Sequence, residues 1–113
     1  MKVIIAGGRD FIPLLKHKSW LVGVLSQIEA KTIICGMAKG ADQFGKEIAI
    51  DLGLMVSCYP ADWDKYGKSA GYRRNVEMAK VADACILFPG GRGTEHMRNI
   101  AIEYGLKLIE YKE

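Results

Sequence analysis

The chain has 113 residues, 50% of them hydrophobic and 26% charged, with 16 Lys and Arg against 13 Asp and Glu for a formal charge of +3. This length suits one domain that buries about 65% of the surface its unfolded chain exposes, which excludes a separate catalytic domain, and the apolar content excludes a disordered chain. The charge is too small to argue for nucleic acid as a partner.

In chain order, Met1-Lys2 leads directly into the short apolar run 3–6, without a cleavage site, so a cytosolic location is expected. No stretch approaches the ~20 apolar residues of a membrane helix, so no membrane partner is expected. After Gly7-Gly8-Arg9-Asp10, the residues Leu21, Val24, Leu25 and Ile28 make one helical stripe. A second strand, 32–35, leads through the loop 36–42 to the stripe Ala41, Phe44, Gly45 and Ile48, which Gly53 closes. A third strand, 55–59, precedes the longest connection, from Pro60 to about Ala70, and a helix begins at Arg74 and Asn75 with Met78 and Val81 on its apolar side. The fourth strand, 84–88, opens into Pro89-Gly90-Gly91-Arg92-Gly93-Thr94. The stripe Met97, Ile100, Ala101 and Tyr104 then ends at Gly105 before a fifth strand, 106–109.

Strand and helix alternate throughout, which predicts a doubly wound, Rossmann-like α/β domain over 1–113: a five-stranded, mainly parallel sheet with helices on both faces. Cys35, Cys58 and Cys85 are odd in number and far apart, as befits buried thiols in a reducing compartment. Neither they nor His17 and His96 have the close spacing of a zinc site, so no metal is expected.

Ligands of such a sheet bind outside the carboxyl ends of the strands. Gly7, Gly8, Gly36, Gly40, Gly90, Gly91 and Gly93 all fall there, in three loops. Tight turns need glycine in any case, but three such loops on one edge point to a ligand. The loop 89–94 is the strongest, because it opens a helix whose free N–H groups and dipole favour a phosphate. Thr94 suits either a helix cap or a hydroxyl donor. Lys39 adds a mobile cation, and Asp42 suits either a cap or an acceptor for a ribose hydroxyl.

Two familiar phosphate motifs are absent. The first turn does not read G-x-G-x-x-G, and Asp62 stands where a P-loop ending in Gly67-Lys68-Ser69 needs glycine. Neither a plain NAD oxidoreductase nor a P-loop ATPase is therefore supported. Around Trp63, Tyr66, Lys68, Tyr72, Arg73 and Arg74, aromatics interleave with cations that can stack on a base and hold phosphate. Arg73 is spaced to pair with Glu77 on the surface. Arg74 starts on the apolar side, where a cation needs an anionic partner. Lys16, His17 and Lys18 read as a solvated helix face.

Together, the opening 3–11, the loop 36–42, Trp63 with Tyr66-Gly67-Lys68, Ala70-Gly71, Arg74-Asn75, Met78 and Gly93-Thr94 resemble the SLOG superfamily. These Rossmann-like domains are related to the DNA-processing Smf/DprA proteins and to the LOG cytokinin-activating phosphoribohydrolases. The resemblance covers the whole chain and is closest to a small single-domain branch found in bacteria and phages. It implies a nucleotide or nucleotide-derived ligand, often a homodimer, and no further cofactor. Enzymatic LOG members carry an arginine, a methionine four residues later, and Pro-Gly-Gly-x-Gly-Thr-x-x-Glu. Arg74, Met78 and 89–94 match, but Met97 replaces the final glutamate, whose carboxylate assists N-glycosidic cleavage. Glu95 lies about 200° away around a helix. A binding or sensing module is thus the first expectation. A hydrolase acting on nucleoside monophosphates, with Arg74 and Glu95, Asp42 or Asp10, is the alternative.

Overall fold

Five β-branched runs form the sheet in the computed structural model, which describes residues 1–113. They are β1 (Lys2–Ala6), β2 (Thr32–Cys35), β3 (Met55–Cys58), β4 (Ala84–Leu87) and β5 (Lys107–Glu110), in the order β3-β2-β1-β4-β5. Every pairing is parallel, with Val3 opposite Ile33 and Ile4 opposite Cys85. The fold is therefore the doubly wound α/β architecture expected, and the sheet is wholly parallel. Strands covered on both faces need no polar alternation, which explains the unbroken runs 3–6 and 84–87.

The helices are α1 (Leu15–Gln27), α2 (Ala41–Asp51), α3 (Trp63–Tyr66), α4 (Ala70–Val81) and α5 (Arg92–Glu103). Because successive strand residues face opposite sides, Val3 and Ile5 join Leu21 and Leu25 of α1 and Phe44 and Ile48 of α2 in one core. Ile4 and Ala6 join Met78 of α4 with Met97 and Ala101 of α5 in the other. Gly45 lets α2 lie against β1: a Cβ there would stand 2.5 Å from Ile5 Cγ2. No helix is long and apolar enough to cross a membrane.

Three local expectations differ. The connection 60–70 is not open loop, since Asp62 caps α3 by accepting from the Lys65 amide at 3.1 Å, and a 3-10 turn (Gly67–Ser69) runs on into α4. That helix begins four residues before Arg74. His17 is not solvated: its Nδ1 accepts from the Leu14 amide at 2.8 Å, satisfying the first turn of α1, and its ring packs on Phe11 and Tyr111. Arg73 leaves Glu77 to Lys80 (3.9 Å), donates to Ser69 Oγ at 3.1 Å and lies over the Tyr66 ring.

Candidate ligand cleft at the switch point

The strand order reverses between β1 and β4, and the loops that leave these two strands diverge to opposite faces, which opens a crevice at their carboxyl ends. Backbone contacts fix its floor. The Gly8 amide donates to the Pro89 carbonyl at 2.9 Å, and the Ala41 amide donates to the Gly8 carbonyl at 3.2 Å, so all three glycine loops meet at Gly8. A Cβ on Gly90 would stand 2.5 Å from Gly8 N, and only a bare backbone allows that approach.

At the start of α5, Gly91 occupies the cap position without a side-chain hydrogen bond, and the first helical bond runs from the Glu95 amide to the Gly91 carbonyl at 3.0 Å. The amides of residues 92–94 thus have no acceptor inside the helix. Thr94 is not the cap. It lies in the first turn, buried, and lines a cleft of about 350 Å³.

Arg74 crosses this crevice from α4. Its Nη1 donates to the Gly36 carbonyl, and its Nε donates to Asn75 Oδ1 at 3.1 Å. That bond orients the buried Asn75 amide, whose Nδ2 donates to the Gly93 carbonyl at 3.4 Å and to His96 Nδ1 at 3.1 Å. With Nδ1 accepting, neutral His96 carries its proton on Nε2. The His96 ring sits 4.5 Å from that of Tyr72, centroid to centroid. Across the mouth, the Arg9 guanidinium stands 5.9 Å from the half-exposed Trp63 ring.

With this geometry in place, one known protein decides the family. The Gene 61 protein of Mycobacterium phage D29 is 37% identical over 87 residues, covering 70% of this chain and 70% of that protein. The chain belongs to the Gene 61 protein family. No protein-family model and no solved structure matches it.

In this member of the family, most residues singled out from the sequence come together. Gly7, Gly8, Arg9, Asp42, Trp63, Arg74, Asn75, Gly91, Gly93 and Thr94 line the cleft. Gly36 and Lys39 line an adjoining hollow of about 480 Å³ that shares Arg9, Trp63 and Arg74. Gly40 tucks under the carbonyls of Gly8 and Arg9 and shapes the floor without lining it, while Gly90 backs onto Gly8 from a neighbouring hollow. Glu95 is exposed and outside the cleft, whereas Met97 is buried and lines it.

The sequence reading missed His96, Arg92, Met78 and Met97 as site residues. The methionines were legible as core and as places in the LOG pattern but not as cleft wall, since each fills the sheet face and the wall at once. His96 carried no local signal, because its partner Asn75 is twenty-one residues away in the chain.

Burial dominates the electrostatics of the cleft in this family member. It pushes the Asp42 carboxyl above its ordinary range, against the opposing pull of Arg74, the Ala38 and Gly36 amides and Arg9. It pulls the Arg74 guanidinium down, with Asp42 opposing and Arg9 reinforcing. Burial also lowers the His96 imidazole. Asp42 is 5% exposed and accepts from the Ala38 amide at 3.3 Å. No carboxylate lies within 4.0 Å of Arg74, since the ion pairs of the molecule are formed elsewhere. The cleft therefore presents a desolvated cation, free helix amides and one buried carboxyl.

Proposed function

We propose that this chain is a SLOG-type binding module that holds a nucleotide or nucleotide-derived ligand in the 350 Å³ cleft, with its phosphate on residues 90–94. One observation carries the reading: the uncapped start of α5 opens into the same cleft as Arg74, whose guanidinium has no carboxylate within 4.0 Å. Free amides at the start of a twelve-residue helix favour an anion, and a partly buried guanidinium without an acidic partner favours it again. The volume falls in the range of roughly 300–1,000 Å³ for small-molecule sites.

The remaining polar groups suit the rest of a nucleotide. Asp42 accepts from ribose hydroxyls, and Trp63 with Arg9 gives a face on which a base stacks. The reading includes a cytosolic location and a homodimer, and no metal or further cofactor. Thermal-shift screening against AMP, ADP-ribose, NAD and cyclic nucleotides tests it. Stabilisation by at least one is expected, and no stabilisation by any overturns it.

A second reading, hydrolysis of the N-glycosidic bond of a nucleoside monophosphate, is favoured by Asp42, the one carboxylic acid that lines the cleft. Its ionised carboxylate would accept a proton from water as the water attacks the ribose anomeric carbon, the base leaving with the glycosidic electrons. Glu95, outside the cleft, would have no part. Chromatography for free base after incubation with nucleotides separates the readings, because release lost in Asp42→Asn identifies the enzyme and intact nucleotide identifies the binding module.

A further inference from the structure

Cys35 and Cys58 are distant in the chain and adjacent in the fold. They end β2 and β3 as a register pair, and their sulfurs lie 3.7 Å apart. Cys35 is fully buried, whereas Cys58 is exposed on a strand bonded on one side only. The spacing of neighbouring strands, about 4.8 Å, falls inside the Cα window of roughly 4.4–6.8 Å that a disulfide spans. Closure therefore needs the two sulfurs to approach one another, and β3 as an edge strand is free to yield.

We propose that Cys35 and Cys58 form a covalent modification site: a dithiol that a hydroperoxide closes to an intramolecular disulfide. The accessible Cys58 thiolate attacks a peroxide oxygen, the O–O bond breaks, and a sulfenic acid forms with release of one water. The Cys35 thiolate then attacks the Cys58 sulfur, the S–O bond breaks, the S–S bond forms and a second water leaves. The two thiols supply two electrons and two protons, and hydrogen peroxide is reduced to two waters. Burial pushes the Cys35 thiol up to about 11, so the second step accelerates as pH rises above neutrality. Cys85, buried on β4 and pushed up to about 12, takes no part.

The reaction reaches the cleft through one residue. Gly36 follows Cys35, and its carbonyl accepts from Arg74. Drawing the Cys35 sulfur toward β3 moves that carbonyl and with it the guanidinium.

Reduced protein treated with excess hydrogen peroxide is examined by intact mass and by alkylation of the remaining thiols. The expected result is loss of two hydrogens in the monomer, alkylable thiols falling from three to one, and a cross-linked peptide joining Cys35 to Cys58, all abolished in Cys58→Ser. Oxygen adducts without loss of hydrogen, disulfide-linked dimers or a cross-link through Cys85 would overturn the proposal. Coupling to the cleft is read by NMR without nucleotide. The Arg74 Nε–H and Gly36 amide resonances shift on oxidation and return with dithiothreitol, and an unmoved Arg74 resonance refutes the coupling.

Discussion

Asp42 and Arg74 reach the same glycine from two helices without forming an ion pair. A Cβ on Gly36 would meet Arg74 Cζ at 2.8 Å and Asp42 Oδ2 at 2.9 Å, so the missing side chain is the space in which a cation and a carboxyl converge. The loop 36–42 thus acts by what it leaves out, and Arg74 is fixed by a carbonyl while its charge stays available.

The first prediction is that Gly36→Ala displaces Arg74. The φ of Gly36 lies outside the left-handed range, so backbone strain contributes nothing. The overlap costs about 1–3 kcal/mol of stability, and nucleotide affinity falls by about tenfold, or ~1.4 kcal/mol. Denaturant melts and calorimetric titration of the variant check both. Unchanged affinity would mean that the guanidinium position does not matter.

Asp42 gives a pH-dependent prediction. Its carboxyl is held above the ordinary value, so the folded chain binds that proton more tightly than the unfolded chain. The corresponding stability is present below the unfolded value of about 3.9 and is lost as pH rises through the folded value. Charged Asp42 therefore costs stability at neutral pH. Asp42→Asn should melt higher than the parent near neutrality, the gap closing toward about pH 3. A variant that melts lower at neutral pH would mean that attraction to Arg74 outweighs burial.

His96 titrates with the opposite sign. Burial lowers its imidazole, so the unfolded chain takes up the proton first, and stability is full above the unfolded value of about 6.5 and lost as pH falls through the folded one. A proton on Nδ1 also removes the lone pair that holds the Asn75 amide. Melting temperatures measured from about pH 7 down to pH 5 should fall more for the parent than for His96→Gln. Equal slopes would detach His96 from the network.

Much of this was legible in the sequence, and the exceptions share a cause. The strands and the three glycine loops follow from period and turn chemistry, which are local. What escaped depends on long-range neighbours: His17 is buried because Phe11 and Tyr111 enclose it, and Cys35 meets Cys58 only through strand register. Of the two roles open to Thr94, cap or hydroxyl donor, the cap falls away because Gly91 caps α5 and Thr94 lies in its first turn. Of the expected catalytic pair, Arg74 lines the cleft and Glu95 is left outside, because one helix face turns Glu95 to solvent while Met97 turns inward.

Two helix glycines make a paired stability test. Replacing an interior helical glycine by alanine gains about 0.5–1 kcal/mol when there is space. Gly23 in α1 has nothing within 4 Å, so Gly23→Ala should stabilise by about that amount. A Cβ at Gly45 would stand 2.5 Å from Ile5 Cγ2, and overpacking costs about 1–3 kcal/mol, so Gly45→Ala should destabilise. Chemical denaturation of both variants compares the two effects, and a stabilised Gly45→Ala would show that α2 shifts off β1 at little cost.

The binding of phosphate at the start of α5 is tested most directly by titrating AMP into isotopically labelled protein and following backbone amides. The largest shifts should fall on residues 90–94 with the Arg74 Nε–H, and Arg74→Ala should weaken binding about tenfold or more. Shifts confined to other surfaces, or none at saturating AMP while another nucleotide binds elsewhere, would contradict the phosphate site.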